Sequence, residues 1–155
     1  MSQLETIRAA IVAQMQTVPD IGRVHGWERH GDDGRALHKH YKTTVAGEPR
    51  IRGWYVRRLS EQRRRIGTGK ADVLITWQVR GFMALADADQ SEITFDALID
   101  ALVAAFWGNQ NLGINGLTTA VDGEAGLQLQ DSGPSLFGGA VCHSARLVLH
   151  TRHTE

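Results

Sequence analysis

Five arginines, Arg57, Arg58, Arg63, Arg64 and Arg65, fall within nine consecutive positions. A guanidinium is permanently charged and presents a fork of donors that matches a carboxylate or a phosphate, so the cluster could grip a nucleic-acid backbone or dock on an acidic protein surface. The whole chain carries 17 basic and 17 acidic residues. No global field draws it to nucleic acid, and an acidic protein surface is the favoured partner of the arginines. The competing structural explanation is a solvated hairpin tip whose charges prevent edge-to-edge pairing.

Other reactive side chains are plentiful but poorly spaced for catalysis. The seven histidines are His25, His30, His38, His40, His143, His150 and His153, and the single cysteine is Cys142. On a strand, His38 and His40 would share a face, whereas Cys142 and His143 would point to opposite faces. None follows an H-x-x-x-H or C-x-x-C spacing that presets a metal site, so no metal is expected. Ser132, Ser135 and Ser144 lack a G-x-S-x-G setting, and Cys142 has no base fixed by spacing and reads as a buried, inert thiol. A small hydrolase built on His143 or Cys142 would need both side chains to face one pocket. Asp87, Asp89, Glu92, Asp96 and Asp100 are explained by turn polarity and by the helix that follows them. Gly113, Gly116, Gly123 and Gly126 match no phosphate-binding loop. The expectation is a non-enzymatic chain with no catalytic residue and no cofactor.

The elements that position these residues are clearer. At 155 residues and 17.1 kDa the chain fits one domain, 1–155, with one core and no need of a disulfide. Val73, Ile75, Trp77 and Val79 alternate with polar residues as in a half-buried strand, and Phe95, Leu98, Ile99, Leu102, Val103 and Phe106 form one helical stripe. Leu4, Ile7, Ile11 and Met15 place a first helix over 2–16, with Ser2 as N-cap and Glu5 three residues on. A short strand is expected over 23–28, and the segment 29–49 reads as a flexible excursion, at most a poorly ordered hairpin. Strands are expected over 51–59 and 73–85, joined by a basic turn into a long antiparallel hairpin. Ser91 or Thr94 should cap the second helix. Strands over 117–121, 127–130 and 141–149 follow, separated by DGEAG and DSGPSLFGG turns. The resulting fold class is α+β, a mostly antiparallel sheet with a long hairpin packed against two main helices. Trp27, Trp54, Trp77 and Trp107 are assigned to the core or to subunit contacts.

The N-terminus lacks the apolar run of a signal peptide, and no stretch is long and apolar enough for a membrane span. One unpaired cysteine suits a reducing compartment.

The second half then resembles a known family. WQVRGFMALADADQSEITFDALIDALVAAFWGN, the polar strand GLQLQDSGPSLFGG and the final VCHSARLVLHT, preceded by IRGWYVRRL, are similar to phage tail proteins of the tail-terminator and minor-tail type, siphophage-like and lambda-type. The likeness covers 51–151. It implies a structural protein of a phage or prophage tail that caps or completes the tail tube as a homo-oligomeric ring, commonly a hexamer, and presents a surface for head-tail joining. The implied partners are further copies of the chain, the tail tube protein and the head-tail connector protein, with assembly in the host cytoplasm into the virion tail. Arg57, Arg58, Arg63, Arg64 and Arg65 are the expected protein-protein interface. The alternative function is a small nucleic-acid-binding module using the same arginine-rich hairpin.

Overall fold

Ser2 and Glu5 set the start of the first helix: the Ser2 hydroxyl accepts the Glu5 N–H at 3.2 Å, and the Glu5 carboxylate accepts the Ser2 N–H at 3.1 Å. This reciprocal pair satisfies donors that a helix start leaves without partners. The computed structural model describes residues 2–155. Helix α1 is Gln3–Gln16, with Ile7, Ile11 and Met15 buried at four-residue spacing. The chain continues through β1 (Arg23–His25), α2 (Gly34–Tyr41), β2 (Lys42–Val45), β3 (Glu48–Gly67) and β4 (Lys70–Ala84). A 3-10 turn at Asp87–Asp89 leads into α3 (Ser91–Trp107). The last elements are β5 (Ala120–Val121), β6 (Glu124–Ala125), β7 (Gln128–Phe137) and β8 (Ala140–Thr154).

The main sheet has the order β1-β3-β4-β8-β7, with β2 also paired to β3, over Glu48–Ile51. Only β1 runs parallel to its neighbour; every other pairing is antiparallel, and β3 with β4 forms the long hairpin. The fold is α+β with a mixed, mostly antiparallel sheet.

Both faces of the sheet carry apolar groups, but unequally. On the first face Trp54, Val56, Val73, Ile75, Trp77, Val79, Ala145, Leu147 and Leu149 pack against the apolar stripes of α1 and α3. The two indole N–H groups inside this core are satisfied: Trp54 donates to the Ile21 carbonyl at 2.8 Å and Trp77 to the Thr151 hydroxyl at 2.9 Å. On the second face a smaller cluster of Tyr41, Ile51, Phe82, Phe137 and Cys142 sits under α2, with Phe82 and Phe137 stacked at 4.1 Å. Beyond α2 this second face is open.

Several local expectations change. Within 29–49 the chain forms α2 and β2 rather than an irregular excursion, because Asp33 accepts the Ala36 N–H at 2.8 Å to start a helix and Tyr41 fills the second cluster. There are thus three helices, not two. His38 and His40 lie on α2 and share no strand face. The strand expected over 51–59 runs on to Gly67, past a bulge at Leu59, so the arginines expected in a turn are in strand. The reversal comes after them, where Gly69 has a φ of +71°. In the same way β7 passes a bulge at Gln130 and reaches Phe137, and the strand expected over 117–121 reduces to β5 and one bridge between Thr118 and Arg152. Gln90, in a left-handed conformation, precedes α3 without a side-chain cap; Ser91 instead accepts the Ala86 N–H at 2.9 Å. Trp54 and Trp77 are fully buried, while Trp27 and Trp107 are 58% and 61% exposed.

Candidate interface surfaces

The bulge at Leu59 decides where the arginines point. Arg58 is opposite Trp77, Arg63 opposite Val73 and Arg65 opposite Ala71, so these three share the helix-covered face of the sheet. Arg57 is opposite Gln78 and Arg64 opposite Asp72, which places them on the open face. The five do not form one patch.

Most of their charge is answered within the chain. Arg63 donates to Glu61 at 2.8 Å and to Glu155 at 2.7 Å, tying the hairpin to the end of β8. Arg64 lies 3.5 Å from Asp72, which Arg152 grips with two bonds of 2.8 and 2.6 Å. Arg58 is 3.5 Å from Glu61, and Arg57 is 3.7 Å from Glu28. Arg65 alone of the five has no carboxylate partner among the described residues; it donates to the Gly67 carbonyl at 3.4 Å. The bonds from Arg152 and then its charge, with those of Arg64 and His153, hold the Asp72 carboxyl below its usual range. Bonds from His153 and Arg63 lower Glu155 likewise.

A second set of charges lies on the open face. Tyr55, Arg80 and Arg146 are in register across β3, β4 and β8, and Asp131 of β7 continues the row. Arg80 lies over the Phe82 ring at 4.9 Å, and its buried Nε has no hydrogen-bond partner. The Tyr55 hydroxyl donates to Glu28 at 3.1 Å, and burial together with that carboxylate pushes its pKa up to about 12. Neither Arg80 nor Arg146 makes an ion pair among the described residues.

No family model matches this chain, and no curated protein matches it.

The groups weighed for catalysis are dispersed. Cys142 is buried in the cluster under α2, and burial raises its thiol pKa, which suppresses the nucleophilic thiolate. His143 faces the other side, stacked on Phe95 at 5.8 Å and 2.7 Å from the Ser91 hydroxyl. That hydroxyl-imidazole spacing suits an activated serine, but both groups are buried, Ser91 also receives the Ala86 N–H, and no carboxylate orients the imidazole among the described residues. The contact fastens the start of α3 to β8. His25 and His38 bond to the carbonyls of His40 and Phe137. No three His, Cys, Asp or Glu side chains converge as metal ligands among the described residues.

Arg80 and Arg146 are the residues that sequence patterning did not single out. Each is an ordinary polar position in an alternating strand; only the β4-β8 register brings them side by side.

Proposed function

We propose that this chain is a structural, non-enzymatic protein of a phage or prophage tail, which caps or completes the tail tube as a homo-oligomeric ring and offers a surface for head-tail joining. The single observation that supports this most is the distal hairpin. Beyond Leu59 every residue of β3 except Glu61 is exposed, and the apolar Leu59 and Ile66 are 49% and 51% exposed. An isolated two-stranded ribbon is marginal in water, but this one is not isolated: β4 is laddered to β8 from Asp72 to Ala84, and Ala71 and Glu155 exchange backbone bonds beyond that ladder. The Arg63–Glu155 and Arg152–Asp72 pairs add side-chain ties, which leaves the distal part of β3 as an exposed edge. The hairpin is a stiffened arm with unfilled contact surface, which suits an assembly protein.

The ion pairs also favour a protein partner over a phosphate backbone. Four of the five hairpin arginines already face carboxylates, and a nucleic-acid surface would leave its cations free for phosphate. Arg63, Arg64 and Arg65 are assigned to contact with a neighbouring copy, the tail tube protein or the connector protein. The test is electron microscopy of tail tubes with wild-type protein and with a variant carrying Arg63→Glu, Arg64→Glu and Arg65→Glu. The wild type should cap tube ends and the folded variant should not. Normal tail maturation by the variant removes the arginine assignment, and a wild type that ignores tube ends removes the function.

A further inference from the structure

We propose that the Arg80 and Arg146 row on the open sheet face receives the carboxylate stripe Glu92, Asp96 and Asp100 of α3 from a second copy of this chain. The inference rests on the ring assembly proposed above and names its contact.

Arg80 and Arg146 are direct cross-strand partners, and like charges placed so cost stability. Asp131, across from Arg146, lines the same hollow but forms an ion pair with neither guanidinium among the described residues. Glu28, on the other flank, is engaged with the Tyr55 hydroxyl, Arg57 and His30. The Arg80 Nε remains buried without a partner. That buried atom is out of reach of a second copy, and the group of the row that an incoming carboxylate meets first is the exposed Arg146 guanidinium.

The complementary surface is on the same chain. Glu92, Asp96 and Asp100 are exposed at i, i+4 and i+8 along α3, and none makes an ion pair among the described residues. The helix dipole favours Glu92 in the first turn, but Asp100 lies beyond its reach, and like charges four apart weaken a helix. Each patch therefore repels itself, and the two are opposite in sign within a chain of net charge +0.

Their placement fixes the symmetry. Helix α3 covers the first face of the sheet, so its outer stripe and the open-face row look in opposite directions. A two-fold contact cannot join patches that face away from each other. A head-to-tail contact can; repeated from copy to copy it gives a ring where the rotation between copies closes and an open filament where it does not.

The test uses two full-length variants, Arg146→Glu in one and Asp96→Lys with Asp100→Lys in the other, all at exposed positions. Folding is checked by circular dichroism and mass by sedimentation at low and high salt. Wild type should assemble at low salt and loosen as the Debye length shrinks. Each variant alone should associate about 100-fold more weakly or worse. An equimolar mixture should reassemble, because alternating copies then meet with opposite charges at every contact. A wild type that stays monomeric at low salt and high concentration overturns the proposal, as does wild-type assembly by either variant or failure of the folded mixture. Adding tail tubes separates the two ideas. Assembly through this contact that ignores tube ends removes only the tail function, whereas capping unaffected by both variants removes only this contact.

Discussion

Gly81 lies directly across from Trp54 in the β3-β4 ladder, and a Cβ at Gly81 would stand 2.2 Å from the indole ring. The indole cannot retreat freely, since it donates to the Ile21 carbonyl at 2.8 Å and stacks on Phe95 at 5.6 Å. The absence of a side chain at 81 is what lets the largest core residue lie flat on the sheet and meet α3. Gly81→Ala should therefore destabilise the protein by about 1–3 kcal/mol through overpacking. Chemical denaturation measures this, and an unchanged midpoint would show that the core adapts at no cost.

The hairpin arm should soften in acid. Asp72 and Glu155 titrate below their ordinary range in the folded protein, chiefly through bonds from Arg152 and from His153 respectively. A depressed carboxylate contributes stability that is present above its unfolded pKa and lost as pH falls through the folded one. Protection factors of the amides over 62–74, taken relative to the intrinsic exchange rate at each pH, should fall in that window before those of the rest of the sheet. Asp72→Asn should remove most of this pH dependence, and protection factors that stay flat in the wild type would contradict it.

His25 gives a second acid-sensitive point. Its Nε2–H donates to the His40 carbonyl at 2.6 Å, joining β1 to α2. Burial lowers its pKa below the ordinary 6.5, and Arg29, His40 and Arg23 lower it further, against the raising effect of the bond. The neutral form is thus favoured by folding, so its contribution is complete above the unfolded pKa and lost as pH falls through the folded value. An NMR titration should place His25 below 6.5, and a midpoint at or above that value would refute the sign.

Cys142 should be inert to thiol reagents in the native state. It is 1% exposed and its pKa is raised by burial, two effects that both suppress thiolate attack. Labelling should wait for unfolding, and fast native labelling would reopen a nucleophilic role.

Legibility in the sequence followed the length and regularity of each pattern. The stripes of α1 and α3 and the alternation of β4 are long and unbroken, and their positions were readable to within a few residues. Leu59 and Gln130 each interrupt a period of two, so β3 and β7 look as though they end where they only bulge. Helix α2 is short and mostly polar, and its two inward residues, Leu37 and Tyr41, are too few to stand out; the Asp33 cap was the available signal. The arginine cluster was visible as a run of letters, but its division between two faces depends on the bulge. The Arg80 and Arg146 pair depends on a register that no local pattern encodes.

The bulge at Leu59 also gives the arm a freedom of its own. Arg58 pairs with Trp77 and Ser60 with Thr76, so the ladder resumes directly after Leu59 and runs to a second irregularity at Ile66, next to the turn. Removing Leu59 would shorten β3 without turning any other side chain to the opposite face. Bulges add bend and twist, so this position steers the direction of the arm while the inventory of groups on each side stays fixed. Aim and content are separately adjustable, and related arms could be re-pointed at a differently shaped partner by gaining or losing a single residue.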